Sequence, residues 1–136
     1  MSTYARTEAP DRRMLWAGRI LSGLLVVFLL FDGAIKLVPL DVVNTTSQEL
    51  GIPVHLSRTL GVMTLVCVLL YAWPRTAVLG AILLTGYLGG AVYVHTRAGS
   101  PLFSHTLFGV YLGLIAWGGL WLRDARLRSL FPFRRD

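Results

Sequence analysis

The chain has 136 residues, of which 54% are hydrophobic and only 15% are charged, and its mean hydropathy is +0.62. These values are too apolar for an ordinary soluble domain, and the length leaves room for one domain. The net charge of +6 does not indicate nucleic acid as a partner, because the basic residues cluster at the ends of apolar segments. Cys67 is the only cysteine, which excludes an internal disulfide, a CxxC redox pair and a cysteine-based zinc site.

The first apolar segment, residues 20–39, contains an acid and a base after a long uncharged run. Asp32 and Lys36 stand four positions apart, which places them on one face of a helix before Pro39 ends the segment. Charged groups inside a bilayer are costly and usually face other helices or a partner. Two interpretations stay open. The charges of Asp32 and Lys36 neutralise each other so that the helix can insert into the membrane, or the two residues form a binding or relay site.

Three further apolar segments are long enough to cross a bilayer core of about 30 Å. We predict an all-α integral membrane four-helix bundle, with up-down-up-down topology because the connections are short. Its spans are expected near residues 14–38, 55–73, 77–94 and 102–122.

The segments outside the spans carry predictions of their own. Residues 1–13 are expected to be a flexible cytoplasmic N-terminus, 14–122 the transmembrane domain, and 123–136 a basic cytoplasmic tail with a short amphipathic helix. Between the first two spans, a short interfacial helix is predicted with Val42, Thr46 and Leu50 on one side.

The distribution of basic residues predicts the orientation. Ten of the thirteen Lys and Arg residues lie at the end that holds both termini, so the positive-inside rule places the N- and C-termini in the cytoplasm. The excess of arginine over lysine suggests a GC-rich bacterial genome, and therefore the bacterial cytoplasmic (inner) membrane.

The remaining basic residues and all three histidines gather at the opposite, outer end. A polar vestibule for an anionic or polar-headed ligand is one interpretation, and ordinary helix-end residues among lipid headgroups are the other. The candidate ligand-binding residues are Asp32, Lys36, His55, Arg58, His95, Arg97 and His105.

The sequence contains no catalytic motif, so no catalytic residue is assigned. The three histidines could converge, but none has the i, i+4 or HxxEH spacing of a strong metal motif, so no metal site is predicted. Small residues let membrane helices approach closely. Helix packing, within one bundle or between subunits, is therefore predicted at Gly86, Gly90, Gly109 and Gly113.

Four stretches of the chain carry a family resemblance when taken together: FDGAIKL, YAWPRTAVLGAILLTGYLGGAVYVHTRAG, SPLFSH and WGGLWLRDARLRSL. They resemble the DoxX-like family of small four-span membrane proteins over residues 15–128. The family's Gly-x-x-Lys falls on Gly33 and Lys36, and its His-x-Arg falls on His95 and Arg97. Its pattern has a glutamate where this chain has Thr64.

This resemblance implies a membrane subunit linked to sulfur or quinone redox, since founding members of the family look like subunits of a thiosulfate:quinone oxidoreductase. The expected function is a non-catalytic or accessory subunit that binds a small polar-headed or quinone-like ligand at the outer end. Quinone or lipid is the only cofactor type that the resemblance suggests. The expected partners are the lipid bilayer and either further copies of the chain or a membrane redox subunit.

Two alternatives stay open. The broader superfamily is similar to chaperones of membrane receptors, which suggests an interaction protein packing against partner helices through its glycine faces. A small transporter or channel is the other, although the sequence shows no inverted repeat or broken helix.

Overall fold

Helices make up nearly all of the chain that the structure describes, residues 12–38 and 41–134 of a computed structural model, and those ranges contain no β-strand. The predicted N-terminal segment 1–13 lies outside the described residues except for its last two, which open the first helix. The elements are α1 (Arg12–Leu37), α2 (Asp41–Glu49), α3 (Val54–Ala72), α4 (Ala77–Ala98), a π-helical turn (Leu102–Thr106), α5 (Phe108–Arg123) and α6 (Ala125–Leu130).

Four segments of this set are long and apolar enough to span a membrane, namely α1, α3, α4 and the π turn joined to α5. This confirms the predicted all-α four-span fold. The largest boundary difference is in α4, which continues four residues past the predicted end at 94. Gly99, not the polar residues before it, ends the helix, because its φ of 70° is a left-handed conformation that glycine adopts readily.

The four spans form a ring. Both α1 and α4 pack against α3 and α5, so α1 and α4 occupy opposite corners of the bundle. We call the two ends of the bundle the α2 end, where α1 and α4 finish and α3 begins, and the tail end, where α1 begins and α6 follows α5.

The core at the tail end is closed around Tyr71, which has no exposed surface. Its hydroxyl donates to the carbonyl of Ala116 at 2.7 Å, so the hydroxyl of Ser22, at 2.8 Å, is the donor in their shared bond. These bonds join α1, α3 and α5. Glycine permits the close approach of α1 to α5, since a Cβ at Gly18 would lie 3.0 Å from the backbone nitrogen of Arg123.

The buried residues of α1 recur every three or four positions, as expected for one face of a helix. They are Gly18, Ser22, Leu25, Leu29 and Gly33. The last of these touches α3, because a Cβ there would lie 2.9 Å from Cγ of Leu65.

The predicted helix between the first two spans is present as α2. Its buried residues are Val43 and Ser47, whereas Val42 is 68% exposed. A hydrogen bond of 2.9 Å between the hydroxyls of Ser47 and Ser57 ties α2 to the start of α3. A buried hydroxyl needs a partner, so this bond fixes which side of α2 faces inward.

Candidate functional site

A cavity of about 480 Å³ lies at the α2 end, between α1, α2, α3 and α4. Most of its wall is apolar, and this part consists of Ile35, Val42, Val43, Leu50, Ile52, Leu60, Met63, Ala91 and Val94. Its volume falls within the range of about 300–1,000 Å³ that is typical of small-molecule sites. The polar groups in the wall are few, which makes their arrangement informative.

The main polar group of the cavity is the side chain of Lys36, held between two partners. Its Nζ donates to Oδ2 of Asp32 at 2.7 Å and to the hydroxyl of Tyr87 at 3.1 Å. The ion pair is partly shielded from solvent, with 25% of the Lys36 side chain and 30% of the Asp32 side chain exposed. The pairing expected from the i, i+4 spacing is therefore present, and it faces the cavity.

Asp32, Lys36 and Tyr87 form a polar cluster in which some hydrogen-bond donors remain without an acceptor. An ammonium group has three N–H donors, and Lys36 uses two of them. Tyr87 accepts from Lys36, so its own hydroxyl proton remains free to be donated. The carboxylate of Asp32 cancels the charge of Lys36. The cluster can therefore donate to an acceptor oxygen without presenting a net positive charge.

His95 is the third sequence-predicted residue that lines the cavity. Its Nδ1 lies 3.0 Å from the hydroxyl of Ser100, and Nδ1 of His105 lies 2.7 Å from the hydroxyl of Ser104. The two imidazole rings are neighbours, with centroids 6.0 Å apart. The structure thus brings these two histidines together at the α2 end.

The other four candidates do not line the cavity. Arg58 and Arg97 are exposed, because each follows a lining residue by one or two positions and a helix turns about 100° per residue. His55 and His105 are exposed as well.

His105 does not share the buried face of α5. In a continuous α-helix, the spacing of three or four residues would place His105 on one face with Gly109, Gly113 and Ala116, yet Gly109 and Ala116 are buried and His105 is exposed. His105 lies in the π-helical turn, which holds more residues per turn than an α-helix. A spacing of three or four residues therefore does not carry across the turn.

The four glycines predicted to pack against helices behave differently from one another. A Cβ at Gly109 would lie 2.9 Å from the carbonyl oxygen of Leu88, so α4 and α5 are in close contact there. At Gly113 the nearest atom would be 4.0 Å away. Gly86 and Gly90 have nothing within 4 Å of such a Cβ, and they line the cavity instead of packing against a helix of this chain.

A second, smaller groove of about 290 Å³ lies beside α4 and α5. It is lined by Thr85, Leu88, Gly89, Val92, Gly109, Val110, Gly113, Leu114 and Trp117. The indole of Trp117 donates to the hydroxyl of Thr85 at 2.8 Å, which satisfies the polar atoms there. The groove thus offers an apolar surface shaped by glycine.

Sequence reasoning missed the cavity residues Tyr87, Ser47 and Ser57. Tyr87 lies within an apolar run and meets Lys36 across 51 residues of chain, so no local spacing links the two. The only indication in the sequence was that the Tyr87 hydroxyl lies inside a predicted span, where a polar group needs a partner. Thr64, where the resemblance led us to expect a glutamate, is fully buried, donates to the carbonyl of Leu60 and does not line the cavity.

The fold and the cavity define the class: a small helical membrane protein with four spanning helices and a polar cluster in a mostly apolar cavity. Within that class, the chain belongs to the DoxX-like family, whose model matches residues 20–119. The match contains the whole polar cluster as well as His95 and His105. No curated protein and no solved structure matches the chain.

Proposed function

We propose that this protein is a non-catalytic, accessory membrane subunit that binds a small polar-headed or quinone-like ligand in the cavity at the α2 end. The observation that carries the proposal is the ammonium of Lys36, held by Asp32 and Tyr87 at the wall of an apolar cavity. Apolar pockets with a few placed polar groups are typical of small-molecule sites.

The donors of the polar cluster indicate which type of ligand head group it can bind. Its free donors are an N–H of Lys36 and the O–H of Tyr87, and both suit a carbonyl or hydroxyl oxygen. Because Asp32 already neutralises Lys36, a multiply charged anion would gain little from the pair. An uncharged head group with acceptor oxygens, as in a quinone, fits this arrangement best.

The setting of this function is part of the proposal. The excess of arginine at the tail end supports a cytoplasmic location for both termini and an outer location for the cavity, in a bacterial inner membrane. Electron transfer in sulfur or quinone chemistry would belong to a redox partner subunit, with this chain supplying the ligand site.

The test is native mass spectrometry of the gently extracted protein, together with the ultraviolet absorption spectrum of an organic extract, in which a quinone is detected. A bound quinone or lipid should be seen at one per chain. Lys36→Ala and Asp32→Asn should weaken its retention by about 10- to 100-fold, since a hydrogen bond to a charged group contributes about 1.5–3 kcal/mol. Arg97→Ala is the matched control, because Arg97 lies at the same end but outside the cavity. Unchanged retention in both cavity variants would mean that the charged pair is structural.

The second candidate function is a chaperone or interaction protein that packs against partner helices. The groove beside α4 and α5 supports it, because Gly113 leaves open space there and Leu114 is 67% exposed. The same native spectrum separates the two functions. A co-purifying protein chain with no small molecule would favour the interaction function.

A further inference from the structure

We propose that His95 and His105 bind a single divalent transition-metal ion, such as Zn²⁺, at the α2 end. The two residues come from different elements, His95 from the last turn of α4 and His105 from the π-helical turn that precedes α5. The metal site would lie beside the cavity, since His95 also lines it. It does not depend on the function proposed for the cavity.

The separation of the two rings fits a shared ion. A Zn–N bond is about 2.0 Å long and the imidazole ring adds roughly 1.1 Å, so two rings on one ion have centroids about 5–6 Å apart. The observed separation is 6.0 Å, with the ring planes inclined by 59°. Imidazole nitrogens are suitable ligands for zinc, copper and nickel.

The serine hydroxyls determine which nitrogens are available. Nδ1 of His95 and Nδ1 of His105 are each bonded to a serine, Ser100 and Ser104 respectively. Neither Nε2 has a hydrogen-bond partner within the described part of the chain. A metal-ligating histidine characteristically donates its other ring N–H to a nearby acceptor, which orients the ring and selects the tautomer. The hydroxyls of Ser100 and Ser104 are each within reach to accept such a bond from Nδ1.

The backbone around His105 adds a second indication. The residue lies in a single π-helical turn, Leu102–Thr106, and such turns are rare and frequently found at functional sites. The described residues contain no group of three or more His, Cys, Asp and Glu side chains that could hold a metal. Water would therefore complete the coordination, and we expect an accessible, exchangeable ion.

The sequence allows the histidines to converge but does not predict this site, because His95 and His105 stand ten positions apart. That spacing is not a metal motif on one helix. The helix end at Gly99 and the π turn after Pro101 bring the two rings together.

The experiment is a calorimetric titration of Zn²⁺ into the metal-free full-length chain in detergent, after removal of any affinity tag. One Zn²⁺ should bind per chain, and His95→Asn and His105→Asn should each weaken binding at least tenfold. His55→Asn is the matched control, since His55 is exposed at the same end and outside the pair. Its affinity should equal that of the unmodified chain.

The spectrum of bound Cu²⁺ gives an independent measurement. Electron paramagnetic resonance should show two imidazole nitrogens in the unmodified chain and one in His105→Asn. Unfolding of that variant is not expected, because the His105 side chain is exposed, and its elution in size-exclusion chromatography would verify this. No Zn²⁺ binding by the unmodified chain, or equal binding by all three variants, would overturn the proposal.

Discussion

The two ends of the bundle are each organised around a tyrosine, and the two tyrosines are used in opposite ways. Tyr71 at the tail end is fully buried, and its hydroxyl both donates and accepts within the protein. Tyr87 at the α2 end is half-buried beside a cavity and only accepts, from Lys36. The Tyr71 hydroxyl uses both its proton and its oxygen in bonds within the core, whereas the Tyr87 hydroxyl still has a proton to donate.

The glycines of α4 also differ between the two ends of the bundle. Gly80 packs its backbone directly against α3, and a Cβ there would lie 2.8 Å from the carbonyl carbon of Leu70. Gly86, six residues later on the same helix, has open space and lines the cavity. One end of α4 is therefore closely packed, and the other leaves room for a second molecule.

The largest expected effect is a difference in stability between alanine substitutions at Gly80 and Gly86. Gly80→Ala should destabilise the protein by about 2–3 kcal/mol, because the added methyl group meets backbone atoms that cannot move away. Gly86→Ala should leave stability unchanged or raise it by up to about 1 kcal/mol, since alanine is the better helix former. Thermal unfolding of both variants in the same detergent, followed by circular dichroism, measures the difference. Equal losses would show that the cavity end is as tightly packed as the tail end.

The next largest effect is a difference between phenylalanine substitutions at Tyr71 and Tyr87. Tyr71→Phe should cost about 1–3 kcal/mol, because it leaves the Ala116 carbonyl and the Ser22 hydroxyl without their partner in the core. Tyr87→Phe should cost less than about 1 kcal/mol, because Lys36 keeps its bond to Asp32. The second variant should instead weaken ligand retention by about tenfold in native mass spectra. A Tyr87→Phe variant that retains ligand fully would remove the phenol from the proposed site.

The smallest effect concerns the helix that covers the cavity. Ser57→Ala should cost about 1 kcal/mol, because it leaves the hydroxyl of Ser47 buried without its partner. Amide hydrogen exchange in α2 should become faster while exchange in α5 is unchanged. Thr46→Ala is the control, since the Thr46 hydroxyl is exposed and bonds to the carbonyl of Val42 within α2. Equal exchange in both variants would mean that the serine bond does not anchor α2.

Hydropathy and local spacing were sufficient to predict the fold and part of the site. Apolar segment length predicted four spans, and the i, i+4 spacing predicted the contact between Asp32 and Lys36. Both properties depend on residues close together in the chain. The end of α4 required the conformation of Gly99, which polarity alone does not reveal.

The rest of the site depends on tertiary structure. Gly86 and Gly109 look alike in sequence, and only the packed bundle shows that one faces a cavity and the other a helix. The exposed position of His105 follows from a π-helical turn that the apolar pattern does not predict. Tyr87 enters the site through the arrangement of helices that are distant in the chain.

The polar cluster joins a contact across four residues of chain to a contact across 51 residues. During synthesis, the acid and the base can meet as soon as α1 is helical, whereas the phenol is added only when α4 has been translated and docked. The cluster is therefore completed late in assembly. A nascent chain released after α3 would carry the ion pair on a surface not yet enclosed by α4.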